Sequence, residues 1–289
     1  MADRDRREPG DRQRLDALLV ERDLARSRTE AHGLVLAGRV RVDGLLADKP
    51  GRRFPAGAPI EVSYPAHRYA SRGGLKLEKA LDHFRLVVGG LDCLDVGAST
   101  GGFTDCLLTR GARRVYAVDV GYGLLAWRLR TDPRVVVLDR TNARHMERET
   151  FRRAAVERLP AEDPEFRWPG FATCDVSFIS LLKVVPAILP ILASPWQMVL
   201  LVKPQFEAGR EKVGSGGVVR DPAVHVEVLE RVCEGLGGRV EITDLTYSPL
   251  RGPEGNIEYL LWAREAAPRP APWSAARVAA IVKQAFADL

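Results

Sequence analysis

The sequence predicts an α/β protein in which a Rossmann-like, doubly wound sheet of seven strands follows a small N-terminal α+β unit. After Gly89-Gly90, short apolar runs alternate with helix-patterned segments, as in sheets built from strands and crossover helices. Before them, about 55 residues pattern as two helices and a strand pair, enough for a binding module but too few for an enzyme core. The 289 residues are 46% hydrophobic and 28% charged, which allows one large or two ordinary domains and excludes a disordered, collagen-like or coiled-coil chain.

Residues 1–11 are polar, carry both signs of charge, and read as a disordered tail. A helix is expected from Arg12, with Leu15, Leu18 and Leu19 at helical spacing. After a turn at Leu24–Ser27, Ser27 caps a second helix through Ala37, which Gly38 ends. Arg39–Gly44 alternates into an Asp-Gly turn, Pro50, Pro55 and Pro59 mark loops, and Pro59–Val62 closes the unit. A helix over about Leu75–Phe84 precedes the expected strands Cys93–Val96, Val115–Val120, Val135–Leu138, Ala172–Val176, Met198–Lys203, Val240–Leu245 and Tyr259–Ala263. Ala154–Gly170 is expected as a surface insertion and 273–288 as a terminal helix on the sheet. The chain thus divides into a tail (1–11), a small domain (12–65), a linker (66–70) and a large domain (71–289).

Cys93, Cys106, Cys174 and Cys233 are scattered within or beside apolar runs, without a CxxC pair or a His cluster. Buried free thiols, a reducing cytoplasm and no metal are the expectation. The N-terminus lacks the apolar core of a secretory signal. Residues 184–202 are uncharged, but Pro186, Pro190 and Pro195 interrupt them; a helix to about Leu192 and a strand over Gln197–Lys203 is the expected parse, not a membrane span. Met1–Tyr69 holds 14 Lys/Arg against 11 Asp/Glu, so +3 of the total +5 lies in this small segment, as in a polyanion-facing module.

The chemistry concentrates in Leu94-Asp95-Val96-Gly97-Ala98-Ser99-Thr100-Gly101-Gly102-Phe103-Thr104, a buried strand running into a small-residue loop and a helix. Such glycines let backbone approach a ligand closely. The spacing departs from the dinucleotide G-x-G-x-x-G fingerprint. Asp119 ends the next strand, where a carboxylate can accept both ribose hydroxyls of a nucleoside. Asp139, Arg140 and Asn142 follow the third strand, placed for an adenine. Of the seven lysines, Lys203 closes a buried strand and Lys76 lies in the leading helix; Asp175 ends the fourth strand and Glu258 opens the last. Lysine, unlike arginine, can lose its proton when burial or a neighbouring cation depresses its pKa, which suits it to activating an alcohol.

These residues carry resemblances. RLDALLVERDLARSRTEAHGLVLAGRVRVDG resembles the S4 RNA-binding fold, which implies RNA contacts for Arg26, Arg28, Arg39 and Arg41, with Arg68 and Arg72 following. The glycine loop resembles the methionine-binding loop of S-adenosylmethionine-dependent methyltransferases. That implies cofactor contacts from Asp95, Gly97, Ala98, Ser99, Thr100, Gly101, Gly102, Phe103, Asp119, Asp139, Arg140 and Asn142. Lys76, Asp175, Lys203 and Glu258 resemble the Lys-Asp-Lys-Glu tetrad of FtsJ-type ribose 2′-O-methyltransferases, which implies Lys203 as base, Asp175 as its orienter, and Lys76 and Glu258 as hydroxyl-positioning partners. Over about residues 12–265 the motifs together resemble the TlyA, or hemolysin A-like, family. The resemblance implies S-adenosylmethionine-dependent 2′-O-methylation of cytidine in the RNA of the small and, in many members, the large ribosomal subunit. A monomer is expected, with the target nucleotide flipped outward and the glycine-rich segments 206–222 and 248–256 ordering on RNA.

Three other readings compete. A non-catalytic ribosome-assembly factor has no use for Lys203 at a strand end. A membrane-lytic hemolysin sits poorly with the proline-broken apolar stretch. An S4-bearing pseudouridine synthase sits poorly with the glycine loop, although Arg14-Leu15-Asp16 superficially matches its motif.

Overall fold

The computed structural model describes residues 12–22, 24–25, 28–36, 38–62, 68–252, 254–266 and 274–289. The expected tail, Arg26, the Ser27 cap and residues 66–67 of the expected linker lie outside them. The chain forms two compact units, Met1–His67 and Arg68–Leu289.

In the small unit, Leu15–Glu21 and Arg28–Leu36 are helices, and a three-stranded antiparallel sheet has Val40–Val42 between Leu45–Leu46 and Ile60–Val62. Asp43 and Gly44 both take positive φ (52° and 76°), which fits the primed turn that a tight hairpin needs. Leu15, Leu18, Leu19, Ala31, Val35, Val40, Val42 and Phe54 fill its core. The expectation of a helix from Arg12 is corrected: Arg12–Arg14 is a strand paired antiparallel with Arg53–Pro55. Those three polar residues offer a helix nothing to bury, and helix begins at Leu15, the first apolar position. Pro55 accordingly ends a short strand of a two-stranded ribbon instead of marking a loop. Asp16 is buried beside Arg14 (2.7 Å) and His32 (2.8 Å), and the Arg14 guanidinium holds its carboxyl well below the usual range. The Arg-Leu-Asp triplet is a structural brace.

The large unit holds strands β1 (Asp92–Val96), β2 (Arg114–Val118), β3 (Val135–Leu138), β4 (Phe171–Cys174), β5 (Gln197–Val202), β6 (Val240–Tyr247) and β7 (Tyr259–Glu265). Its helices are α1 (Gly73–His83), α2 (Gly102–Thr109), α3 (Trp127–Arg130), α4 (Arg148–Val156), α5 (Leu181–Ile188), α6 (Pro204–Glu207), α7 (Pro222–Leu236) and α8 (Ala275–Asp288). The sheet order is β6-β7-β5-β4-β1-β2-β3, parallel except for β7, which runs antiparallel to both β5 and β6. Alternation along the strands feeds two cores. Val199 and Leu201 pack with Leu77, Leu81 and Leu107 on one face, while Met198, Leu200 and Val202 pack with Val185, Ile188 and Val228 on the other. The apolar stretch divides into α5, a short 3₁₀ turn over Leu189–Ile191 and β5. Among the described residues no helix is long and apolar enough to cross a membrane.

The expected surface insertion is also corrected. Ala154–Val156 belong to α4, and Phe166 and Trp168 pack edge-to-face beside Phe151. Arg114, fully buried at the start of β2, donates to the carbonyls of Asp163 and Glu165 (both 2.6 Å) and pairs with the Asp163 carboxylate. A buried guanidinium needs such partners, so it draws this segment onto the domain.

Candidate active site

Strands β1 and β2 end beside each other and leave a cleft of about 370 Å³ at their carboxyl ends. Gly97 ends β1 at φ +83°, and a Cβ there would lie 2.8 Å from the Asp175 carbonyl carbon and nearer still to its oxygen. Only glycine lets this turn pass the end of β4. Gly97 and Ser99 line the cleft with Asp119, Thr141, Asn142 and Asp175. The Asp119 carboxylate is fixed from behind, accepting from the backbone N–H groups of Ser99 (2.8 Å) and Gly121 (2.7 Å). Asn142 accepts from the Arg144 N–H and so caps the 3₁₀ turn that forms the far wall.

The other residues expected at the cofactor do not reach this cleft. Asp95 is completely buried and accepts from the hydroxyls of Thr104 (2.6 Å) and Thr173 (2.9 Å), strapping β1 to α2 and β4. Burial pushes its carboxyl up to about 6, against the opposing effect of those hydroxyls. Ala98 and Phe103 sit in the α1–α2 core, and Gly101 is buried against Leu125 and Leu129. At Gly102 a Cβ would lie 2.9 Å from the Gly74 nitrogen, so this glycine permits α1 and α2 to touch. Thr100 gives its carbonyl to the Ala126 N–H. Asp139 is paired with Arg130 and accepts from Gly123, and Arg140 lies over the Tyr122 ring, 4.3 Å from its centroid.

The four tetrad positions do meet. Asp175 and Lys203 directly follow β4 and β5, and Glu258 directly precedes β7. Because Val202 pairs with Tyr259, Lys203 and Glu258 come abreast. Lys203 Nζ lies 2.6 Å from Asp175 Oδ1 and donates to Ser177 Oγ (2.9 Å). Lys76 Nζ, from α1, donates to Glu258 Oε2. Burial raises the Glu258 carboxyl above its ordinary value, and Lys76 and, more weakly, Lys203 oppose that rise. Two lysines and two acids thus form one cluster of paired side chains whose Asp175 end opens on the cleft. Among the described residues no group of three or more His, Cys, Asp or Glu is placed to hold a metal ion.

Residues 69–265 match the FtsJ-like methyltransferase family and residues 13–60 the S4 domain. The chain belongs to the FtsJ-like methyltransferases, in the TlyA family. It is 46% identical over 257 residues to the 16S/23S rRNA (cytidine-2′-O)-methyltransferase TlyA of Mycobacterium tuberculosis, covering 88% of this chain and 90% of that one. Hemolysin A of Brachyspira hyodysenteriae is 40% identical, over 86% of this chain and 98% of its own. A solved structure, described as a candidate hemolysin from Streptococcus thermophilus, is 40% identical with a TM-score of 0.73 and covers 96% of each chain.

In this TlyA-family methyltransferase, two features escaped sequence reasoning. Phe178 is 90% exposed in the left-handed region (φ +64°), its ring 4.9 Å from that of Phe206. These rings, with Gln205, Val213, Gly214 and Gly217, border a second cavity of about 510 Å³. An aromatic in a loop carries no periodic signal, and the costly φ is the only mark of its position. The second feature is a polar latch. Buried Asn256 accepts from the Val219 N–H (3.0 Å) and donates to the Gly217 carbonyl (2.8 Å). His225, also buried, bonds through Nε2 to the Val219 carbonyl and through Nδ1 to the Tyr259 hydroxyl (both 2.9 Å). The glycine-rich segment bordering the second cavity thereby hangs on the backbone that carries Glu258.

The arginines expected at RNA fall in both units. Arg28 opens the second helix of the small unit, exposed; Arg41 is exposed on its strand and donates to the Gly44 carbonyl (2.9 Å), and Arg39 is half-buried. In the large unit Arg72 is exposed at the N-cap of α1, and Arg68 is paired with Glu78.

Proposed function

We propose that the chain methylates the ribose 2′-oxygen of a cytidine in ribosomal RNA, with S-adenosylmethionine as methyl donor, in the cytoplasm where its substrate assembles. The observation that carries this reading is the Lys76, Asp175, Lys203, Glu258 cluster at the mouth of a nucleoside-sized cleft. The cleft fits the cofactor: Asp119, held by two amides, has lone pairs free for ribose hydroxyls, and Asn142 and Thr141 offer polar edges to an adenine. Gly97 brings the loop backbone against Asp175 at the tetrad end of the cleft. When bound, the cofactor supplies an electrophilic methyl group.

The chain's own residues handle the acceptor. Lys203, oriented by Asp175 and Ser177, takes the 2′-hydroxyl proton as the oxygen–methyl bond forms, acting through its unprotonated amine. Lys76 and Glu258 hold the hydroxyl in line; alignment is the main catalytic contribution that such a displacement needs. A splayed-out base finds aromatic faces in Phe178 and Phe206. The S4 domain grips the RNA with Arg28, Arg39 and Arg41, through phosphate and shape.

The test is transfer of label from S-adenosylmethionine to unmodified small and large ribosomal subunits, separately, with the modified position mapped. Label on the ribose of a cytidine is the expected result, and transfer to neither subunit refutes the reading. Lys203→Ala should abolish transfer while cofactor affinity holds; activity within about tenfold of wild type, about 1.4 kcal/mol of barrier, removes Lys203 from the base role.

A further inference from the structure

Arg140 and the rings of Tyr122 and Trp127 neither line the cofactor cleft nor belong to the tetrad. From the end of β2 to the first residue of α3, Val120, Tyr122, Leu124 and Trp127 are all exposed, Tyr122 at 67% and Trp127 at 76%. Four large apolar side chains turned to solvent within eight residues of a well-packed domain mark an interaction site. The loop is built to hold that shape. Ala126 donates to the Thr100 carbonyl, Gly123 to Asp139, and the Arg140 N–H to the Gly121 carbonyl (2.9 Å).

Charge selects the kind of partner. Asp139 is occupied by Arg130 and Asp105 by Arg128, while Asp119 is held by two amides and turned to the cleft. Arg140 and Arg144 have no carboxylate within salt-bridge distance among the described residues. Arg140 covers one face of the Tyr122 ring and leaves the other for a planar group. Val120, Leu124 and Arg144 also line the cleft, so the loop continues its rim.

We propose that Tyr122, Trp127 and Arg140 form a second RNA-contacting surface on the catalytic unit. It takes unpaired nucleotides flanking the target by stacking on the two rings and holds their phosphates with the guanidinium. The choice of RNA rests on the ribosomal-RNA reading above, and stacked bases with phosphates match a surface of aromatic rings and unpaired arginine.

The experiment measures equilibrium binding of the full chain to naked ribosomal RNA and to ribosomal subunits, with methyl transfer in parallel. The variants are Tyr122→Ser, Trp127→Ala and Arg140→Ala, each checked for folding by its melting transition. Removing either ring should weaken RNA binding by about tenfold or more, in proportion to a lost base stack, with the loss in KM and not in kcat. Arg140→Ala should also flatten the salt dependence of log affinity by about 0.7–0.9. Affinity for S-adenosylmethionine should stay within about twofold in Tyr122→Ser and Trp127→Ala, whose rings do not line the cleft. Unchanged binding overturns the proposal. So does a loss confined to cofactor affinity, which would return the loop to the cofactor site, or a loss on subunits but not on naked RNA, which would make the partner a protein. Failure of wild-type transfer with these binding losses intact would refute the catalytic reading alone.

Discussion

Gly97→Ala tests the geometry of the site most directly, because the structure supplies its own control. At Gly97 a Cβ would press on the backbone of Asp175, and φ is +83°; at Gly90 φ is +74° but nothing lies within 4 Å of the added atom. Both substitutions incur the left-handed penalty for an L-residue, about 1–2 kcal/mol. Gly97→Ala alone adds overpacking, about 1–3 kcal/mol, and no flexible side chain can move aside to relieve it. The two variants should therefore differ by about 1–3 kcal/mol. At about 2–4 °C per kcal/mol for a domain of this size, that is about 2–12 °C in Tm, measurable by calorimetry on the full chain. Relief must come from shifting Asp175, and with it the partner of Lys203. A displacement near 1 Å there should cost about a hundredfold in kcat. Gly90→Ala should leave activity near wild type. Equal melting temperatures, or full activity in Gly97→Ala, would refute the claim that this close approach sets the tetrad.

Two further outcomes follow from buried polar groups. Asp95 holds its proton more tightly when folded (pKa about 6) than when unfolded (3.8), so its contribution to stability falls as pH rises from about 4 to about 6, by about 3 kcal/mol in all. Asp95→Asn lacks this titration and should gain on wild type by about that amount across the same window in urea unfolding; parallel pH profiles would refute it. Asn256→Ala leaves the Val219 N–H and the Gly217 carbonyl without their partners, at about 1–3 kcal/mol each. Tryptic cleavage at Arg210, Lys212 or Arg220 should then quicken at least tenfold, and an unchanged rate would show that the latch does not hold the segment.

What could be read from the sequence depended on whether a residue's role is set by its own position or by distant partners. The strand pattern placed Asp175, Lys203 and Glu258 at strand ends, and the structure brings those ends together. Asp95, Asp119 and Asp139 look alike in sequence, each near the end of one of three consecutive strands, yet they do different work. Asp95 faces Thr104 and Thr173, 9 and 78 residues away, and is buried; Asp119 accepts from Gly121 of its own turn and from Ser99 of the glycine loop and stays open; Asp139 meets Arg130. The acidic residue of the first strand lies within the strand, whereas Asp119 and Asp139 stand just beyond theirs. Arg12–Arg14 failed for a related reason: its strand partner lies about forty residues downstream, beyond any local pattern.

The reversal of β7 completes the site, and local sequence signals do not reveal it. Asp175 and Lys203 follow their strands, as residues at the carboxyl edge of a parallel sheet must. Glu258 precedes its strand, so in a parallel arrangement it would lie at the opposite edge, a strand's length away. Pairing β7 antiparallel to β5, with Val202 against Tyr259, brings its leading residue to the edge where the others end. The same reversal sets Asn256 and its latch beside the cluster, because the chain enters β7 from that side. An acid ahead of the last strand is thus informative only once that strand's direction is known. In this fold the antiparallel strand places the fourth member of the tetrad and anchors the segment beside it.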